Sequence, residues 1–255
     1  GEMEDMHSQS ANNEFFLAAN KKTMLMSLER PEGEGGNDIY VSLLKHDKTW
    51  GKPKNLGSVI NSANIETAPF LAADNKTLYF SSNGHRGYGD KDIYVSTRLD
   101  NTWKKWSSPI NLGDAINSSA SENYYSVPAS GEHAYFVSQN NSMGGNDIYS
   151  IKLPNAIKPQ SVALVYGNVY NADTKKPMAA DILYEIMPQG FEAGFASSDP
   201  KTGAYKIVLP LNDEYGFFAE KYGFLSLTDK IDLKGIKDEY VEIHRDLYLA
   251  PLKRG

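Results

Sequence analysis

Three glycine-rich, acid-bearing stretches are where this sequence could do chemistry: Glu32-Gly-Glu-Gly-Gly-Asn-Asp38, Gly87-Tyr-Gly-Asp-Lys-Asp92 and Ser142-Met-Gly-Gly-Asn-Asp147. Oxygen ligands on flexible loops are what a calcium ion accepts. The third stretch keeps a single carboxylate, however, and none has the spacing of an EF-hand loop. The competing expectation is that Asp38, Asp92 and Asp147 each accept hydrogen bonds from local backbone amides and pin a turn, with no metal bound. The five histidines, His7, His46, His85, His133 and His244, are scattered, with no spacing that puts two ligands on one metal. A Gly-x-Ser-x-Gly nucleophile elbow is missing too. These residues predict a chain that is not an enzyme, with no catalytic residues and no cofactor.

Aromatic residues offer the other candidate site, because Trp, Tyr and Arg concentrate the energy of binding surfaces. His85, Arg86 and Tyr88 share one loop, and Tyr124 and Tyr125 are adjacent. Arg86 and Tyr88 have no counterpart in the other two stretches, which singles them out. Trp50 and Trp103 recur at a similar place and are expected to pack inside the fold.

These residues sit on a repeat. Asp38, Asp92 and Asp147 are 54 and 55 residues apart, each within an Asp-Ile-Tyr triplet, and Asn55-Leu-Gly57 with Ile60-Asn61 returns as Asn111-Leu-Gly113 with Ile116-Asn117. Such a period, filled with short apolar alternations, is the mark of a stacked or radial β repeat. Each copy predicts a strand pair, as at 77–82 and 92–96, joined by a glycine-rich hairpin loop whose glycines supply positive φ. A third strand is expected before each pair, at 14–19, 66–72 and 122–129, and a fourth around the Asn-Leu-Gly phrase. Units of about 14–57, 66–113 and 122–153 follow, preceded by a polar stretch to Asn13. Two prolines in 154–160 end the repeat. Beyond them, strand-like runs at 162–170, 181–186, 204–209, 215–222 and 240–249 predict a small β-sandwich.

Asp74-Asn-Lys-Thr-Leu-Tyr-Phe-Ser-Ser-Asn-Gly84 with Asp92-Ile-Tyr94 resembles the TolB-type, WD-like β-propeller repeat. Gly167-Asn-Val-Tyr-Asn-Ala-Asp-Thr-Lys-Lys-Pro-Met178, Thr202-Gly-Ala-Tyr-Lys-Ile-Val-Leu-Pro210 and Ala219-Glu-Lys-Tyr-Gly-Phe224 are similar to the carboxypeptidase regulatory-like domain, a transthyretin-like sandwich. Together they resemble the middle of multidomain OmpA-family lipoproteins, including the PorE-like component of type IX secretion. The resemblance implies an all-β chain: a partial propeller of about three four-stranded blades over 1–155, part of a larger propeller, then the sandwich over 160–252. It also implies a periplasmic, outer-membrane-associated scaffold that binds envelope proteins, and a natural protein extending in both directions, with peptidoglycan held by a domain this chain lacks. The alternative is a module that binds glycans or peptidoglycan fragments.

Composition narrows the partners. The 255 residues carry 26 basic and 32 acidic side chains, a net charge of −6. No basic stripe offers itself to a phosphate backbone, so nucleic acid is not an expected partner. No apolar run reaches the length of a membrane span. Cysteine is absent, so no disulfide or thiolate site exists.

Overall fold

The computed structural model of the chain describes residues 3, 5, 7–237 and 240–252. The start of the polar N-terminal stretch, residues 1, 2, 4 and 6, lies outside them. The chain forms two compact units. One is built on Lys22–Pro159 with the residues up to Ala18, and the other on the chain from Gln160 with Ala19–Lys21.

The first unit holds three antiparallel sheets. The first contains β1 (Glu14–Leu17), β2 (Thr23–Glu29), β3 (Asn37–Leu43) and β4 (Lys54–Asn55); the second, β5 (Glu66–Leu71), β6 (Thr77–Ser82), β7 (Asp92–Thr97) and β8 (Ile110–Asn111). The third has only β9 (Glu122–Ser126), β10 (His133–Ser138) and β11 (Asp147–Lys152). The ladders run in the same register: Ser27 faces Ile39, Ser81 faces Ile93 and Val137 faces Ile148.

Period-two alternation gives each sheet two apolar faces, and the sheets use them in sequence order. Leu25, Ile39 and Val41 of the first sheet pack against Leu78, Phe80 and Tyr94 of the second. Tyr79, Ile93 and Val95, on the other face of the second, pack against Tyr125, Ala134 and Phe136 of the third. On the third sheet the corresponding face is exposed at these positions. Tyr135 is 43% exposed and Ile148 78%, whereas Tyr79 and Ile93 are both 0% exposed.

This arrangement corrects the sequence expectation of propeller blades. None of the sheets closes into a propeller, and the third, whose copy has no Asn-Leu-Gly phrase before Pro154, has three strands. Copies one and two return to the sheet edge through β4 and β8, each only two residues long. In the third copy, Pro154 leads instead into a short 3-10 turn, Asn155–Ile157, whose Ile157 carbonyl accepts a hydrogen bond from the buried Tyr79 hydroxyl.

The second unit packs two sheets around one core that includes Val165, Ile182, Tyr184, Ile207, Tyr215 and Leu249. Its strands are β12 (Val162–Asn171), β13 (Asp181–Met187), β14 (Phe191–Ser197), β15 (Ala204–Pro210), β16 (Glu214–Glu220), β17 (Leu227–Asp232), β18 (Tyr240–His244) and β19 (Leu247–Leu249). One sheet runs β14-β13-β16-β17; in the other, β12 pairs antiparallel with β15 and parallel with both β18 and β19. The single strand expected over 240–249 is broken at Arg245-Asp246. There the Arg245 carbonyl comes so close to Gly167 that any side chain at 167 would strike it. The Asp246 carboxylate accepts from Asn168 N (2.8 Å) and takes the place of the ladder bond at the break.

The stack makes a direct prediction. Ile93→Ala should cost about 3 kcal/mol, because it empties a position sealed between two sheets. Ile148→Ala should stay within about 0.5 kcal/mol of the parent. Urea denaturation of both variants measures the contrast, and equal losses would show that the face carrying Ile148 is covered.

Candidate functional site

The three repeat aspartates occupy equivalent corners where the hairpin loop enters β3, β7 and β11. Each carboxylate accepts a backbone amide from four residues earlier: Glu34 N to Asp38 (2.6 Å), Tyr88 N to Asp92 (2.6 Å) and Met143 N to Asp147 (2.8 Å). The loop glycines serve this approach. Gly33 and Gly87 lie so close to the carboxylates of Asp38 and Asp92 that a Cβ would collide with them. Gly87 and Gly89 are not among the positive-φ residues, so close approach explains them rather than left-handed backbone.

The aspartates also hold the returning chain. Asn55 Nδ2 donates to Asp38 (2.9 Å) while its Oδ1 accepts from Gly57 N (2.7 Å) and Asn61 Nδ2 (2.9 Å). Asn61 in turn treats the edge of β3 as a strand would, accepting from Ile39 N (2.7 Å) and donating to Ile39 O (3.0 Å). The second copy repeats this: Asn111 Nδ2 donates to Asp92 (2.7 Å), and Asn117 accepts from Ile93 N (2.8 Å) and donates to Ile93 O (3.0 Å). Fully buried glutamates lock the next corner. Glu66 accepts from Ser62 N, Ser62 Oγ and Ser82 Oγ, and Glu122 from Ser118 N, Ser118 Oγ and Ser138 Oγ. Ile60-Asn61 and Ile116-Asn117 recur in the sequence as a phrase that by itself assigns the asparagines no role. Their recurrence six residues after Asn55 and Asn111, downstream of an Asp-Ile-Tyr triplet, is the signal.

In the third copy this clasp is half made. Asp147 pins its loop, yet among the described residues no asparagine reaches it and no strand follows β11 on its outer edge.

The aromatic candidates do not form one site. Tyr125 is 1% exposed and packed between Tyr79 and Phe136, so it belongs to the core and cannot be a binding residue. His85 is half-buried: its Nε2 lies 2.8 Å from Ile60 O and its ring packs on Phe80 and Tyr94. Tyr124 projects from a bulge with φ of 55° and donates its hydroxyl to Glu14 (2.9 Å). The other Glu14 oxygen accepts from Ala68 N at the equivalent bulge of β5, so Tyr124 helps to tie the innermost strands together. Arg86 and Tyr88 are exposed on their loop. The tryptophan correspondence is also different. Trp50 bridges Leu44 as Trp106 bridges Arg98, so the partner of Trp50 is Trp106; Trp103 and Trp106 are both buried.

Beside Tyr40 and Asn55 lies a cleft of about 600 Å³. Arg30 crosses its floor, pairing with Glu32 (2.7 Å) and Asp5 (3.1 Å), and Lys52 also reaches Asp5 (2.8 Å). Hydrogen bonds from Lys52 and Arg30 hold the Asp5 carboxyl below the usual carboxylate range. No three His, Asp or Glu side chains among the described residues gather as metal ligands.

No family model matches the sequence, and no curated protein does. Solved structures to which the chain is similar include catechol 1,2-dioxygenase of Acinetobacter sp. ADP1 (14% identity, 39% of this chain and 54% of that one, TM-score 0.29). The Bacillus anthracis TIE protein shares 11% identity over 90% of this chain and 43% of its own, with a TM-score of 0.32. GBS52, the minor pilin of Streptococcus agalactiae, shares 12% over 68% and 71%, with a TM-score of 0.27. The chain spans a little over half the length of the dioxygenases it matches. These likenesses are too distant for any functional argument. The expected membership of a TolB-type propeller, carboxypeptidase regulatory-like or OmpA family finds no match here, and the open, separate sheets contradict its propeller part.

Burial pushes the Asp38 carboxyl up to about 6, against the opposing pull of Glu34 N and Asn55. A pKa above the unfolded value means that the native state binds the proton more tightly, so stability falls as pH rises from about 4 through about 6 and is flat beyond. Asp38→Asn should remove this slope, on the order of 1–3 kcal/mol between the two ends. Urea midpoints of parent and variant at pH 4, 5.5 and 7 test it; parallel profiles would count against a buried, proton-binding Asp38.

Proposed function

We propose that this chain is a non-catalytic scaffold that binds other proteins through its first unit. One observation carries the reading: the face of the third sheet that bears Tyr135 and Ile148 is built like the faces that the first and second sheets bury, and it is left open. Apolar surface at positions designed for sheet-on-sheet packing marks an interaction site more specifically than a scattered exposed leucine does. Among the described residues, no helix is long and apolar enough to cross a membrane. The periplasm beside the outer membrane is the proposed setting in which to look for the partner.

Two experiments test the proposal. A photo-cross-linking residue at Ile148, in cells expressing the chain, should give discrete protein adducts that weaken when Tyr135→Lys is added. The same residue at exposed Lys104 should give none. Equal labelling at both positions would sink the reading. Calorimetric titration with oligosaccharides and peptidoglycan fragments tests the glycan alternative, and saturable heat that survives Tyr135→Lys would favour it, with the ion-paired cleft beside Tyr40 as its place.

A further inference from the structure

The scaffold reading does not say how a partner is recognised, but the molecule contains two worked examples of what its third sheet lacks. The outer edges of β3 and β7 are each closed by a segment of one pattern. A short strand enters antiparallel, an asparagine sits opposite the repeat tyrosine, Asn55 on Tyr40 and Asn111 on Tyr94, and leucine and glycine follow. Six residues after the first asparagine, a second closes on the backbone of the preceding isoleucine. Leu56 N donates to Ile39 O (3.1 Å) and Leu112 N to Ile93 O (3.1 Å). Leu56 and Ile60 are buried, as is Ile116, while Leu112 packs partly buried against the core.

Every receiving group has its equivalent on β11. Asp147 stands where Asp38 and Asp92 accept from asparagine, and it is already oriented by Met143 N. Ile148 stands where Ile39 and Ile93 offer N–H and C=O, and the hairpin register places these groups on the side away from β10. Tyr149 stands where Tyr40 and Tyr94 face the first asparagine, and its ring is fixed on Phe136 with its hydroxyl donated to Asn140 O (2.6 Å). The chain that could have closed this edge instead leaves at Pro154.

We propose that the outer edge of β11 is a strand-accepting slot for a partner protein, and that the partner supplies an Asn-Leu-Gly-x-x-Ile-Asn segment, a short strand followed by a turn at its glycine. This deepens the scaffold reading and rests on it. The first asparagine lies opposite Tyr149 and donates to the Asp147 carboxylate, and the second exchanges both of its amide groups with Ile148. Main-chain pairing supplies affinity and the two asparagines supply selectivity, as in other cases of strand addition to a sheet edge. The occupant is a different protein rather than a second copy, because this chain's own two segments of this type are committed to β3 and β7.

The probe is a synthetic peptide of residues 108–118, Ser-Pro-Ile-Asn-Leu-Gly-Asp-Ala-Ile-Asn-Ser, titrated into the whole chain by fluorescence anisotropy. Saturable binding is expected, weakened about tenfold by N111A or N117A in the peptide and by Asp147→Ala in the protein. Since Asp147→Ala also frees a loop, amide exchange gives a second measure, in which peptide should slow exchange at Ile148 and leave Ile93 unchanged. Absent binding, binding indifferent to all three substitutions, or an unprotected Ile148 amide would each overturn the proposal. A doubled mass without peptide, in light scattering at micromolar concentration, would overturn it in favour of a second copy. Failure here with persisting cross-links at Ile148 leaves the scaffold standing on the open face alone, whereas loss of both removes the scaffold as well.

Discussion

A strand at the edge of a sheet carries backbone N–H and C=O groups that must find partners, and in this molecule asparagine side chains satisfy that demand. Asn61 and Asn117 each present an amide to a single isoleucine and so complete the ladder one residue beyond a two-residue strand. Hydrogen bonds to a carboxylate are stronger than those between neutral groups. Asp38 and Asp92 therefore anchor the returning chain firmly enough that β4 and β8 can stay short. With the edge closed, the buried glutamates at the next corner fix where the following sheet begins, and the stack can grow.

The same economy explains the composition of the faces. Serine occupies the middle of β2 and β6, at Ser27 and Ser81, opposite the isoleucine of the neighbouring strand. Small side chains there allow close approach of the next sheet, and Ser27 Oγ donates to Glu66 O (2.8 Å) across the junction. In β10 the corresponding residue is Val137, and opposite Tyr135 stands Ser150 where the second sheet has Val95. The third sheet therefore keeps the register of the others and shares the tyrosine and isoleucine positions of the second, differing from it on this face at Val137 and Ser150.

Much of this was legible in the sequence. The period of 54 and 55 residues, the strand pairs and the break at Pro154 follow from alternation and turn residues, which are local properties. The propeller expected from the repeat was not found, since face-to-face contact between sheets is set by which side chains are buried rather than by the repeat itself. The tryptophans were matched wrongly because Trp103 and Trp106 are close in sequence and only the bridges from Leu44 and Arg98 separate them. Two strands of the second unit were missed for physical reasons. β14 contains Gly194, where the Tyr184 side chain leaves no room for a Cβ, and β17 is mostly polar, pairing only along one edge of its sheet. The candidate pair Tyr124-Tyr125 shows the same limit. A bulge turns one ring out to Glu14 and the other into the core, and no property of two adjacent tyrosines announces it.

An edge that is meant to stay free is ordinarily defended by inward charge, proline, a bulge or brevity. β11 has little of this: it is six residues long, pairs with β10 at every residue, and carries one lysine at its far end. Proline comes only after the strand has finished. An unprotected edge beside an apolar face is a hazard for a protein that works alone, and the cost is tolerable when a partner covers both. The first two repeats show that the chain has the means to close such an edge by itself. The chain does so twice and turns away the third time, although Asp147, Ile148 and Tyr149 retain the receiving half of the clasp.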